Sequence, residues 1–86
     1  MVKKTDLEIV KRFKTNLSNN FPIKKIILFG SRAKGKPRKY SDFDIMIVSD
    51  EFYKTRKYFR ATKIYDYWDE DYPVDFICLT IKEFND

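Results

Sequence analysis

Hydrophobic and polar positions alternate along this chain in blocks of two different periods. Leu7, Val10, Phe13 and Leu17 recur at helical spacing and predict a helix over about residues 6–18. Thr5 and Glu8 have the spacing of a capping box at its start, and Asn19, Asn20 and Pro22 end it. Ile26, Ile27, Leu28 and Phe29 form a short apolar run stopped by Gly30, which reads as a buried strand. Residues 30–41 hold both glycines, Pro37 and a set of basic side chains, so they predict a loop that could open with one helical turn. A second strand follows from Asp42 to Ser49. Its alternation puts Asp42, Asp44, Met46 and Val48 on one face and Phe43, Ile45 and Ile47 on the other. Tyr58, Ala61, Tyr65 and Trp68 return to helical spacing, predicting a helix over about residues 53–70 with that stripe in the core. Pro73 introduces a third strand from Val74 to Leu79, and Lys82, Glu83 and Phe84 begin a last helix. The order α-β-(α)-β-α-β implies an α/β (α+β) domain built around a three-stranded mixed sheet.

Length and composition narrow this picture. The 86 residues fit a single domain, 1–86, and an apolar share of 43% supports a packed core. So small a domain buries a modest part of its surface, and a homo- or hetero-oligomer would bury more. The net charge of +5 favours polyanions, whether nucleoside triphosphate, nucleic acid or an acidic protein. Lys34, Lys36, Arg38 and Lys39 carry one basic group. Lys54, Arg56, Lys57, Arg60 and Lys63 carry another, which reads as a solvated helix face.

Cys78 is the sole cysteine and there is no histidine. This excludes a disulfide framework, His-based zinc sites and Ser-His or Cys-His catalysis. A catalytic metal would sit on oxygen ligands, which suits Mg²⁺ or Mn²⁺. The N-terminal residues lack an apolar leader segment and no run is long enough to span a bilayer. A cytoplasmic protein without membrane contact is the expectation.

The candidate chemistry lies in three places. Gly30 lets the backbone turn sharply after the first strand, and Ser31 adds a hydroxyl where a phosphate could dock. Asp42 and Asp44, two apart on a strand, point the same way with Cα atoms roughly 6–7 Å apart. Two such carboxylates repel unless a cation lies between them; one divalent ion, or two about 3.5–4 Å apart, would resolve the repulsion and clamp a phosphate. Asp75, opening the third strand, can join them if that strand lies beside the second. Asp69, Glu70 and Asp71 read as a solvated helix end and loop.

These residues resemble the minimal branch of the nucleotidyltransferase superfamily of DNA polymerase β. The stretch from Leu28 to Gly35, then Ser41 to Val48, is similar to that family's signature, with ten residues between Ser31 and Asp42. The resemblance implies the nucleotidyltransferase fold and a catalytic set of Asp42, Asp44 and Asp75 holding two Mg²⁺ ions (or Mn²⁺). Asp75 would also help deprotonate the acceptor. Gly30, Ser31 and Arg32 would bind the triphosphate of ATP, with Lys34 or Lys36 nearby. It further implies an antitoxin that transfers AMP to a tyrosine of a HEPN-domain toxin partner. Members of the branch usually continue into a further helix that shapes the nucleotide pocket, so a partner could complete the site. Two readings compete: a non-catalytic neutralising partner with the same fold, and a nucleic-acid-binding module. A Mg²⁺ nuclease is disfavoured because no acid-x-Lys pattern follows Asp75.

Overall fold

The computed structural model describes residues 1–36 and 41–86; Pro37, Arg38, Lys39 and Tyr40, and with them half of the first basic group, lie outside the described residues. The elements in chain order are α1 (Lys4–Ser18), β1 (Lys25–Phe29), the single turn α2 (Gly30–Ala33), β2 (Phe43–Val48), α3 (Arg60–Tyr65), β3 (Val74–Leu79) and α4 (Ile81–Asn85). The sheet order is β1-β2-β3, with β1 antiparallel and β3 parallel to the central strand.

Period-2 patterning decides which face is covered. Phe43, Ile45 and Ile47 of β2 are fully buried and share one cluster with Ile9, Phe13 and Leu17 of α1, Ile64 of α3, and Val74 and Cys78 of β3. Helices α1 and α3 therefore cover this face. Trp68 and Phe76 complete the cluster, with Phe13 5.3 Å from each ring. The opposite face carries Ile27 and Phe29, Asp44 and Met46, Asp75 and Ile77 in register across the three strands, and none of these belongs to the cluster. At the end remote from the acids, Lys25 sets its ammonium 4.9 Å from the Phe84 ring of α4.

Several expectations are corrected. Helix α1 starts at Lys4 with Lys3 as N-cap and no side-chain cap, so Thr5 and Glu8 form no capping box. Its inward stripe runs through Asp6, Ile9, Phe13 and Leu17, while Leu7 is 42% exposed. Asp6 takes the inward place because a buried arginine waits for it, as described below.

The long helix over residues 53–70 is replaced by two 3-10 turns (Asp50–Lys54 and Lys57–Phe59) and the six-residue α3. Ser49 Oγ caps the first turn by accepting from Glu51 N–H, and extended backbone at Thr55 breaks the chain before the second. Tyr58 is consequently 95% exposed and outside the core. Glu70 lies in a loop, paired with Arg12 at 2.9 Å, so it meets no helix C-terminal dipole.

Arg60 is not part of a solvated face. It is buried, donating to Cys78 O at 3.1 Å and to Glu83 Oε1 at 2.6 Å. Tyr65 Oη donates to Val74 O at 3.2 Å. Hydrogen bonds from Phe43 N–H to Pro73 O and from Ser49 N–H to Leu79 O turn the odd-numbered residues of β3 toward β2. Val74 and Cys78 thus present their carbonyls to the outer edge, where Tyr65 and Arg60 occupy them. Side chains guard the free edge of the sheet at two points.

The capping box of this chain is at α4. Thr80 Oγ1 accepts from Glu83 N–H and Glu83 Oε1 accepts from Thr80 N–H at 2.8 Å. These bonds, with Arg60, hold the Glu83 carboxyl down to about 2 against an ordinary 4.5. A depressed carboxyl stabilises the fold above its ordinary value and loses that contribution as pH falls toward the folded value. Stability is therefore expected to drop between about pH 4.5 and pH 2. Glu83→Gln should show a smaller drop over this window in acid-titrated urea unfolding.

Candidate functional site

Gly30 follows β1 directly, with φ at +76°, a left-handed conformation that L side chains adopt rarely. The turn brings its backbone against Asp44: a Cβ built on Gly30 would overlap Asp44 Oδ2 and lie 3.1 Å from its Cγ. Pairing of Phe29 with Asp44 across β1 and β2 fixes this approach. Ser31 is half-buried in the same turn, and α2 has no side-chain cap on its first amides.

The acids arrive from two adjacent strands. Asp44 and Asp75 are register partners in the parallel β2 and β3 ladder, so their side chains leave the same face side by side. Asp42 precedes β2 and is exposed, as is Asp75; Asp44 is half-buried. Burial raises the Asp44 carboxyl above its ordinary 3.8, and the charges of Asp75 and then Asp42 raise it further. The field extends to Tyr65, whose phenol is raised by burial first and by Asp75 next.

This donor set, all carboxylate oxygen with mutual repulsion, has the chemistry of a hard divalent cation site. Among the described residues no three His, Cys, Asp or Glu side chains converge closely enough to hold a metal unaided. A Mg²⁺ ion that keeps substrate phosphate and water among its ligands does not need them to.

Arg32 has a different place from the one expected. It is 4% exposed, and its guanidinium turns inward between α1 and β2, onto Asp6, Ser41 O and the Phe43 ring. Sequence reasoning also missed Asp6, its buried partner at 3.0 Å; the only signal was an acid on the apolar stripe of α1. Lys34 and Lys36 are exposed beside the turn. Cys78 is buried and its thiol is pushed up to about 11, so it is not a nucleophile near neutral pH. Of the exposed aromatics among the described residues, Tyr53, Tyr58 and Phe59 lie in the 3-10 turns, Tyr65 ends α3 and Tyr72 lies in the loop before β3, so none of these five stands on a strand.

An antiparallel-then-parallel sheet with a glycine turn abutting paired aspartates defines the class. The chain belongs to the nucleotidyltransferase domain family, whose model matches residues 10–86. It is similar to "Putative protein adenylyltransferase MJ1215" of Methanocaldococcus jannaschii, 40% identical over 60 residues that make up 70% of this chain and 66% of that one. It is also similar to "Probable protein adenylyltransferase MntA" of Haemophilus influenzae, 46% identical over 50 residues, 58% of this chain and 41% of that one. The chain thus spans under two thirds of the length of these relatives. Among solved structures, the crystal structure of a "putative nucleotidyltransferase" from Sulfolobus solfataricus superposes with a TM-score of 0.73 at 26% identity, covering 92% of this chain and 70% of that one. The nucleotidyltransferase fold expected from the sequence is the one observed. No described helix is long and apolar enough to cross a membrane.

Proposed function

We propose that this chain transfers AMP from ATP to a hydroxyl of a partner protein. The observation that carries the reading is the register of Asp44 with Asp75, with the Gly30 turn packed on the Asp44 carboxylate. Adenylyl transfer to protein is supported by the names of the two relatives. Asp42, Asp44 and Asp75 would hold Mg²⁺, which supplies positive charge to the phosphate oxygens as charge develops there. Gly30 N–H and Ser31 Oγ donate to the triphosphate, and Lys34 and Lys36 lower its effective charge. The acceptor oxygen attacks the α-phosphorus, the bond to pyrophosphate breaks, and Asp75 takes the hydroxyl proton. A tyrosine of a HEPN-domain toxin is the acceptor we favour, which would make the chain its antitoxin. Residues 1–86 would serve as one catalytic domain whose nucleotide pocket such a partner completes.

The test is incubation with Mg²⁺ and α-labelled ATP, alone and with candidate acceptor proteins, against Asp42→Ala/Asp44→Ala. Label on protein that disappears in the double variant is the expected result. A folded wild-type chain that binds its partner but transfers no label would reduce it to a neutralising partner. Salt-sensitive RNA or DNA binding that survives the double substitution would instead favour the nucleic-acid module.

A further inference from the structure

We propose that Arg32 is a positioning residue for the transfer site, with Asp6 as its buried counterion, and that the pair sets the Gly30 turn against the Asp42 and Asp44 strand. This rests on the functional reading above. Arg32 follows Ser31 directly. Its Nη1 donates to Asp6 Oδ1 at 3.0 Å, while Nε and Nη2 both donate to Ser41 O at 2.9 and 2.8 Å. The guanidinium also stacks 4.2 Å from the Phe43 ring and 4.9 Å from the Tyr72 ring. Ser41 and Phe43 flank Asp42. One side chain therefore joins the residue after Ser31 to both neighbours of Asp42, spanning the ten-residue connection between the two motifs.

Stability alone is a poor reason for such a device. Both partners are almost fully buried, with side chains 5% and 6% exposed, and Asp6 Oδ2 has no hydrogen-bond partner among the described residues. A buried ion pair commonly stabilises no more than an apolar pair of similar volume. Its advantage is directional: a planar fork that meets one carboxylate, one carbonyl and two rings fixes their relative placement, which a lysine ammonium cannot do. Displacements of about 1 Å at a reacting centre can cost a hundredfold in rate, so this fixation bears on turnover rather than on nucleotide affinity.

The experiment compares the wild-type chain with Arg32→Lys and with Asp6→Leu/Arg32→Met, which removes the clamp without stranding a buried charge. Mg²⁺·ATP affinity, the single-turnover transfer rate and the amide shifts of Asp42 and Asp44 are measured on each. The double variant is expected to stay folded and keep its ATP affinity within about threefold. It should lose about a hundredfold in rate and move both amide resonances; Arg32→Lys should not restore the rate. A loss of ATP affinity with the rate kept would make Arg32 a direct ligand and overturn the proposal. Unmoved amides and an unchanged rate would reduce the pair to a structural one and overturn it too. If the wild-type chain transfers nothing, the functional reading fails separately. The clamp then stands or falls on the amide shifts alone.

Discussion

Asp44→Asn should make the fold more stable near neutral pH while sharply slowing nucleotidyl transfer. The two effects have one cause. The carboxyl is partly desolvated and faces the charges of Asp75 and Asp42, all of which raise it above its ordinary 3.8. A carboxyl raised in the folded state opposes folding once ionised. The penalty is absent below the ordinary value and grows as pH rises through the folded value. Asparagine keeps the shape and removes the charge. In urea unfolding the variant should show a higher midpoint than wild type at pH 7 with an unchanged slope, and the difference should vanish near about pH 3. Transfer should meanwhile fall by about a thousandfold, equivalent to roughly 4 kcal/mol of lost charge stabilisation. An Asp44→Asn chain less stable than wild type at pH 7 would mean that the three acids do not oppose one another as the geometry requires.

What could be read from the sequence, and what could not, follows from the range of each interaction. The alternation of Phe43 to Val48 is a local period-2 signal, so Asp44 falls on a predictable face, while Asp42 precedes the strand. The pairing of Asp44 with Asp75 is not local. Thirty-one positions separate them, and only the parallel register of β2 with β3 makes them neighbours. The aromatic stripe misled because Tyr58, Ala61, Tyr65 and Trp68 fit a helix by spacing, while the Ser49 cap and the extended Thr55 break the chain into short turns. The burial of Arg32 went unread for a related reason. Its expected place beside the triphosphate came from the family resemblance, and its counterion stands on another element 26 positions earlier. Asp6 then displaced Leu7 from the inward stripe, a substitution that no hydrophobic count anticipates.

Gly30→Ala tests the closest approach in the site. A φ of +76° costs an L-residue about 1–2 kcal/mol, and the added methyl meets the Asp44 carboxylate. Forcing atoms into such a contact typically costs a further 1–3 kcal/mol, by the general range for overpacking. The flexible end of Asp44 can swing away, but a carboxylate that does so no longer lies beside Asp75. Stability and transfer should therefore fall together: about 2–5 kcal/mol in unfolding free energy and a rate loss approaching that of Asp44→Asn. The decisive measurement is a double-mutant cycle. In an Asp44→Ala background the methyl meets only the Cβ of residue 44 at 3.3 Å, and Gly30→Ala should cost little beyond the backbone part of about 1–2 kcal/mol. The coupling between the two positions is then on the order of 1–3 kcal/mol. Equal costs in both backgrounds would show that the glycine serves the turn alone. A coupled cost shows that it serves the carboxylate, because the turn has been brought close enough to Asp44 that no side chain fits between them.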